Sequence, residues 1–285
     1  MTIFVTGATG HLGGLVLEQL LGLGLTPDQI VAGGRKPENL AYLAERGFGV
    51  AVIDFDEPSS LESAFTGADT VLLVSSNAVG QRVRQHANAI DAAADAGVRR
   101  IVYTSAPRAD TSELILAPEH KATEALITAS GLDYTILRNS WYTENYLPAL
   151  EQARQTGTVM ASVGDGRVAS ASRRDFAAAA ASVVSQPGHH GQVYELSGDR
   201  AWDYHELAAA ITQVVGRAVT YTPVTPTQHL EILRTAGLDV NTAEFLVALD
   251  GDIRKGLLAE TTGALSRLIS RPTTPLADGL RAALT

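Results

Sequence analysis

Six short apolar runs, each followed by a helix-like segment, constrain this chain more than any other feature. Thr2–Thr6, Gln29–Ala32, Gly49–Ile53, Thr70–Val74, Arg100–Thr104 and Tyr134–Leu137 are compact and rich in β-branched residues. Such runs suit strands buried on both faces of a parallel sheet. Between them, His11–Leu23 carries Leu12, Leu15, Val16 and Leu20 along one helical face, and Gln81–Ala96 spaces Val83, Ala87, Ile90 and Ala94 in the same way. Gly24, Gly47, Gly67, Gly97 and Gly131 fall near the helix ends, where a left-handed cap favours glycine. The rhythm predicts an α/β fold, a doubly wound (Rossmann) parallel sheet.

After Arg138 the pattern changes. Trp141–Gln155 reads as helix, Gly157–Arg173 as a looser stretch with short β-like pieces, and Arg174–Gln186 as an alanine-rich helix. We divide the chain at residues 1–140 and 141–285, the second part being a smaller, mainly helical lobe. Gln192–Leu196 is expected to return to the main sheet. A crevice between the two is the natural ligand site.

Thr6-Gly7-Ala8-Thr9-Gly10-His11-Leu12-Gly13 follows the first run and opens the first helix. In that context Gly7 makes the tight turn, Gly10 lets backbone approach a pyrophosphate, and Gly13 permits close helix–sheet packing. Thr9, His11 and Leu12 complete the loop, and the helix start supplies amide donors. The second run ends Gly33-Gly34-Arg35-Lys36, with no carboxylate to meet a ribose 2′-hydroxyl. Arg35, with Lys36 as a second candidate, suits a 2′-phosphate instead, so NADPH/NADP is favoured over NAD; the alternative is two solvated loop cations. The first part is therefore read as an NAD(P)-binding domain and the second as a substrate lobe. Further strand ends should line the cofactor path: Asp54 and Phe55 at the adenine, Ser75, Ser76 and Asn77 along the ribose and pyrophosphate, Thr104 and Ser105 near the nicotinamide.

Reductases on this kind of sheet usually carry a Tyr-x-x-x-Lys pair. The three lysines are Lys36, Lys121 and Lys255, and the residues four places earlier are Ala32, Ala117 and Gly251. The pair is absent. Aligning Glu124 with the glutamate of the motif-bearing helix puts His120 at the lysine position and Leu116 at the tyrosine position. A simple ketone yields a basic alkoxide and needs a positioned acid. A quinone yields a delocalised hydroquinone anion that water can protonate, and a cationic dye needs no obligatory acid. The missing acid thus weakens alcohol-dehydrogenase and epimerase readings and permits quinone or dye reduction, with Asn139, His120 and Tyr142 as candidate catalytic residues. Asn139 would bond a quinone oxygen or the carboxamide. His120 would assist protonation or merely pair on its helix. Tyr142 and Tyr146, one helical turn apart, would offer aromatic surface to a planar acceptor or pack the lobes together. His86 reads as structural, and His189-His190 lacks accompanying ligand spacing, so no metal site is expected.

The remaining composition narrows the partners. Against 22 Lys and Arg stand 31 Asp and Glu, a formal net charge of −9 without a basic cluster, which argues against nucleic acid and anionic membranes. There are no cysteines, hence no disulfides or thiolate chemistry. No apolar stretch reaches the ~20 residues of a membrane helix, and no signal peptide is read at Met1, so a cytoplasmic location is expected. A homo-oligomer is compatible with the sequence.

With these residues in view, the chain resembles the NmrA-like atypical short-chain dehydrogenase/reductase family, most closely its bacterial NADPH:quinone oxidoreductase 2 type, with triphenylmethane-dye reductases near. The resemblance rests on the glycine loop and on Val79-Gly80-Gln81-Arg82, Ala109-Asp110-Thr111-Ser112, Leu137-Arg138-Asn139-Ser140-Trp141-Tyr142 and Pro272-Thr273-Thr274-Pro275. It implies NADPH binding and two-electron quinone reduction in an interlobe cleft near Asn139. The family carries Gln where His11 stands and commonly Gly where Ser140 stands. Two alternatives accompany this expectation: a non-catalytic NADP(H)-sensing regulator, which needs no catalytic pair, and a dye or azo reductase.

Overall fold

The computed structural model describes residues 1–284. Its first part alternates β1 (Ile3–Val5), α1 (His11–Gly22), β2 (Ile30–Gly34), α2 (Pro37–Glu45), β3 (Gly49–Val52), α3 (Pro58–Phe65), β4 (Thr70–Leu73), α4 (Arg82–Asp95), β5 (Arg100–Ser105), α5 (Ala117–Ala129) and β6 (Asp133–Asn139). Then follow α6 (Leu147–Thr156), β7 (Thr158–Ala161), α7 (Arg173–Ser185), β8 (Gln192–Leu196), α8 (Tyr204–Val215), β9 (Thr220–Pro223), α9 (Pro226–Thr235), α10 (Val240–Arg254), α11 (Ala264–Ile269) and α12 (Leu276–Ala282). Seven strands form one sheet in the order β3-β2-β1-β4-β5-β6-β8, every neighbouring pair parallel. The order reverses between β1 and β4, and the crevice at that switch point opens beyond the carboxyl ends of the strands.

The apolar runs explain the layers. β1, β4 and β5 are buried along their whole length, as strands covered on both faces must be. One face packs α1 and α7 around Val16, Leu17, Leu20, Phe176 and Ala180. The other packs α3, α4 and α5 around Phe65, Ile90, Tyr103 and Ile127. The alanine run of α7 is what lets that helix lie against α1, since Ala177, Ala179, Ala180 and Ala181 are all buried. The five expected helix-end glycines are left-handed, with φ from +72° to +92°.

Two expectations need correction. β3 is not buried on both faces: as an edge strand it alternates, leaving Val50 41% and Val52 52% exposed. Trp141–Gln155 is not one helix. Residues 140–143 run extended: the Ser140 amide donates to the Leu196 carbonyl at 2.8 Å, and the Thr143 amide to the Ala171 carbonyl at 2.9 Å. A 3₁₀ turn, Thr143–Tyr146, comes next, and α6 starts only at Leu147, with Pro148 in its first turn.

β8 lies beside β6 as the seventh strand, from Thr135 opposite Gln192 to Asn139 opposite Leu196. Helices α6, α8, α10 and α12 and the two-stranded pair β7–β9 enclose a second core that includes Leu150, Trp202, Tyr204, Leu207, Ile211, Leu249 and Ile253.

Candidate active site

One large cavity, about 730 Å³, runs along the carboxyl ends of the sheet strands, within the ~300–1,000 Å³ range of small-molecule sites. Its floor is the turn between β1 and α1. Gly7 takes φ +60°, the left-handed conformation that closes the turn. A Cβ on Gly13 would sit 2.3 Å from the Gly7 carbonyl oxygen, so the close approach is of helix to turn rather than helix to sheet. The N-cap, Gly10, has no side-chain cap, and the first turn carries no acid. The leading amides of α1 are thus left without side-chain acceptors, facing the cavity with the positive end of the helix dipole.

Sixteen of the seventeen candidate residues line this one cavity: Gly7, Thr9, Gly10, His11, Leu12, Gly13, Arg35, Asp54, Phe55, Ser75, Ser76, Asn77, Ser105, His120, Asn139 and Tyr142. Thr104 does not. It is buried behind the wall, where its hydroxyl oxygen accepts from the Ser75 amide at 2.8 Å and so holds the end of β4 against β5. The same strand end is fixed from below, because the Ser76 amide donates to His86 Nε2 at 3.0 Å. His86 is fully buried, and its other ring nitrogen lies 3.1 Å from the Thr123 hydroxyl.

Tyr142 and Tyr146 do not share a face. Tyr142, in the extended segment, lines the cavity and sets its ring edge against Phe176, centroids 5.2 Å apart. Tyr146 ends the 3₁₀ turn and points into the second core, 4.8 Å from the Trp202 ring and 6.0 Å from that of Tyr204. The expectation of a paired aromatic wall fails because it assumed helical periodicity where the chain is still pairing with Ala171.

At the end of β6, Asn139 is buried, its Nδ2 donating to the Tyr142 hydroxyl at 3.4 Å. Its Oδ1 has no hydrogen-bond partner among the described residues. A buried amide oxygen left unpaired is costly, and here it is on the cavity wall. Beside it Arg138 is clamped by Glu124, Nε to Oε1 at 2.9 Å and Nη2 to Oε2 at 2.6 Å, with Asp110 and Glu195 each at 2.8 Å. Burial opposes the guanidinium charge, but the bonds to Glu124 and Glu195 outweigh it and push the pKa above its ordinary value. Ser105 donates to the same Glu124 at 2.5 Å. This network ties β5, α5, β6 and β8 together around Asn139.

His120 and Leu116, the positions of the missing catalytic pair, both face the cavity. His120 Nδ1 lies 2.7 Å from the hydroxyl of the buried Tyr103. Burial, with nearby Arg82 adding repulsion, pulls the His120 pKa down to about 3, so the ring is neutral at pH 7. Several other wall residues carry no local signal in the sequence: Asn39, Gln85, Leu114, Arg173 and Leu258. Leu258 follows α10 and Arg173 opens α7, so only the folded chain brings them to the strand ends.

A cleft of this kind, with an uncapped glycine-lined helix start at one end and an unpaired amide at the other, fits a dinucleotide. Residues 7–187 match the NAD(P)H-binding family model. Over 278 residues the chain is 45% identical to quinone oxidoreductase 2 of Escherichia coli K12, covering 98% of this chain and 97% of that one. The crystal structure of the E. coli NADPH-dependent quinone oxidoreductase complexed with NADPH superimposes with a TM-score of 0.95 at 44% identity, covering 100% of both chains. Citrobacter sp. triphenylmethane reductase complexed with NADP(H) gives 0.94 at 36%, covering 99% of this chain and 100% of that one. On fold, cleft and sequence together, the chain belongs to the NAD(P)H-binding, NmrA-like family of atypical short-chain reductases.

Proposed function

We propose that this protein is an NADPH-dependent quinone reductase. The observation that carries the reading is a continuous cavity with Arg35 and the uncapped start of α1 at one end and the unpartnered Asn139 Oδ1 at the other. It is supported by the likeness to a quinone oxidoreductase over nearly the whole of both chains. When bound, the reduced nicotinamide supplies the hydride. The residues of the chain do the rest. The α1 amides hold the diphosphate, and Arg35, exposed beside Lys36 and Asn39, takes the 2′-phosphate. Asp54 and Phe55 border the adenine, Ser75, Ser76 and Asn77 the ribose and diphosphate path, and Ser105 the nicotinamide.

Asn139 Oδ1 accepts from the nicotinamide carboxamide or from the reduced acceptor, and its position is held by the Arg138–Glu124 clamp. Tyr142 and Trp141 form the wall against a flat acceptor, and Leu114, Leu116 and Leu258 keep it apolar. Neutral His120 is no donor of a ring proton at pH 7, so the second proton comes from water. We place the protein in the cytoplasm; none of the described helices is long and apolar enough to cross a membrane.

The test is absorbance at 340 nm of NADPH mixed with protein and 1,4-benzoquinone or 1,4-naphthoquinone. Stoichiometric, catalytic loss of the signal is expected. Tight NADPH binding without turnover across several quinones would favour a sensing role instead.

A further inference from the structure

Resting on the quinone reading, we propose that Arg173 stabilises the negative charge that appears on the acceptor oxygen as hydride is delivered, and so replaces the acid that the chain lacks. Arg173 is the first residue of α7, and its backbone amide is fixed by both oxygens of Glu144, at 2.9 and 3.0 Å. Its side chain turns into the cavity. The guanidinium carbon lies 5.0 Å from the centre of the Tyr142 ring, and Nη2 donates to Asn145 Oδ1 at 3.0 Å. Among the described residues its guanidinium forms no ion pair.

The other arginine buried against this cavity is different. Arg82 is committed to Glu119 at 2.8 Å and to the Ser76 carbonyl at 2.7 Å. A half-buried guanidinium held by a ring and an amide, with most of its donors free, is preorganised for an oxyanion. Its neighbours say which one. Tyr142 and Asn145 follow β6, near Asn139, whereas the uncapped start of α1, where we place the diphosphate, follows β1.

The chemistry needs such a group. A quinone that takes up hydride gains two electrons and one proton and becomes the hydroquinone monoanion, while NADPH becomes NADP⁺. A proton from water then completes the hydroquinone. Between those steps a phenolate oxygen sits in a cleft where His120 is neutral. A fixed cation beside it lowers the barrier most where the anion is most basic.

The experiment compares wild type with Arg173→Met and Arg173→Lys. It reads NADPH affinity by calorimetry and single-turnover rates against a panel of quinones whose hydroquinones differ in acidity. For Arg173→Met we expect an NADPH Kd within twofold of wild type and a rate at least about tenfold lower, the loss growing as the hydroquinone becomes less acidic. Arg173→Lys should recover part of the rate. A weakened NADPH Kd with unchanged rates at saturation would instead put the cation on the diphosphate and overturn the proposal. So would a loss uniform across the panel, or no loss at all. A wild type that binds NADPH but reduces no quinone would overturn the quinone reading itself, a separate result visible before any variant is made.

Discussion

At the residue scale, we propose that selectivity between the two coenzymes rests on a substitution of chemistry at one strand end. β2 closes on two glycines, and the first side chain beyond them is the cation of Arg35, exposed on the cavity rim. Arg35→Ala is therefore expected to raise KM for NADPH by about tenfold or more, the scale of a lost charge-assisted contact, and to leave KM for NADH nearly unchanged. Steady-state kinetics with each coenzyme checks this, and equal effects on both would remove Arg35 from the 2′-phosphate. The place of Arg35 on the cavity was legible in the sequence because the signal is local: strand, two glycines, cation. Arg173 was not, because nothing near it in the chain marks it, and its approach to Tyr142 depends on α7 crossing the sheet. Tyr146 shows the opposite failure. Its four-residue spacing from Tyr142 suggested a shared face, but backbone pairing at Ala171 keeps Tyr142 extended and sends Tyr146 into the second core.

At the element scale, α4 and α5 each place a neutral histidine beneath the strand ends. Burial comes first among the causes, then repulsion from Arg82, and both His86 and His120 fall to a pKa of about 3. In the unfolded chain they titrate near 6.5, so between about pH 6.5 and 3 the unfolded state binds more protons than the folded one. Stability is then lost as pH falls through that window and is fully present above it. From pH 7 to pH 5 the two together should lower unfolding free energy by about 2–4 kcal/mol, read as a drop in the urea midpoint. A midpoint that holds steady to pH 5 would mean that one or both rings are protonated in the fold. The elements themselves were largely readable. Buried strands advertise themselves as apolar runs and helix ends as glycines, whereas the edge strand β3 looks like a core strand until its place in the sheet is known.

For the whole molecule, the account reduces to a sheet whose strand ends, together with the start of α7 and the segment after α10, enclose one cavity shaped for a dinucleotide and a flat acceptor. The residues proposed for the dinucleotide were legible in the sequence as lining one cleft, since they lie at successive strand ends; those proposed for the acceptor come from distant segments. We propose that this cavity grips NADPH through the start of α1 and Arg35. Isothermal titration of the protein with NADPH and with NADH tests it most directly. A one-to-one heat of association with NADPH, and weaker binding of NADH, is the predicted result; no heat with either coenzyme would contradict it.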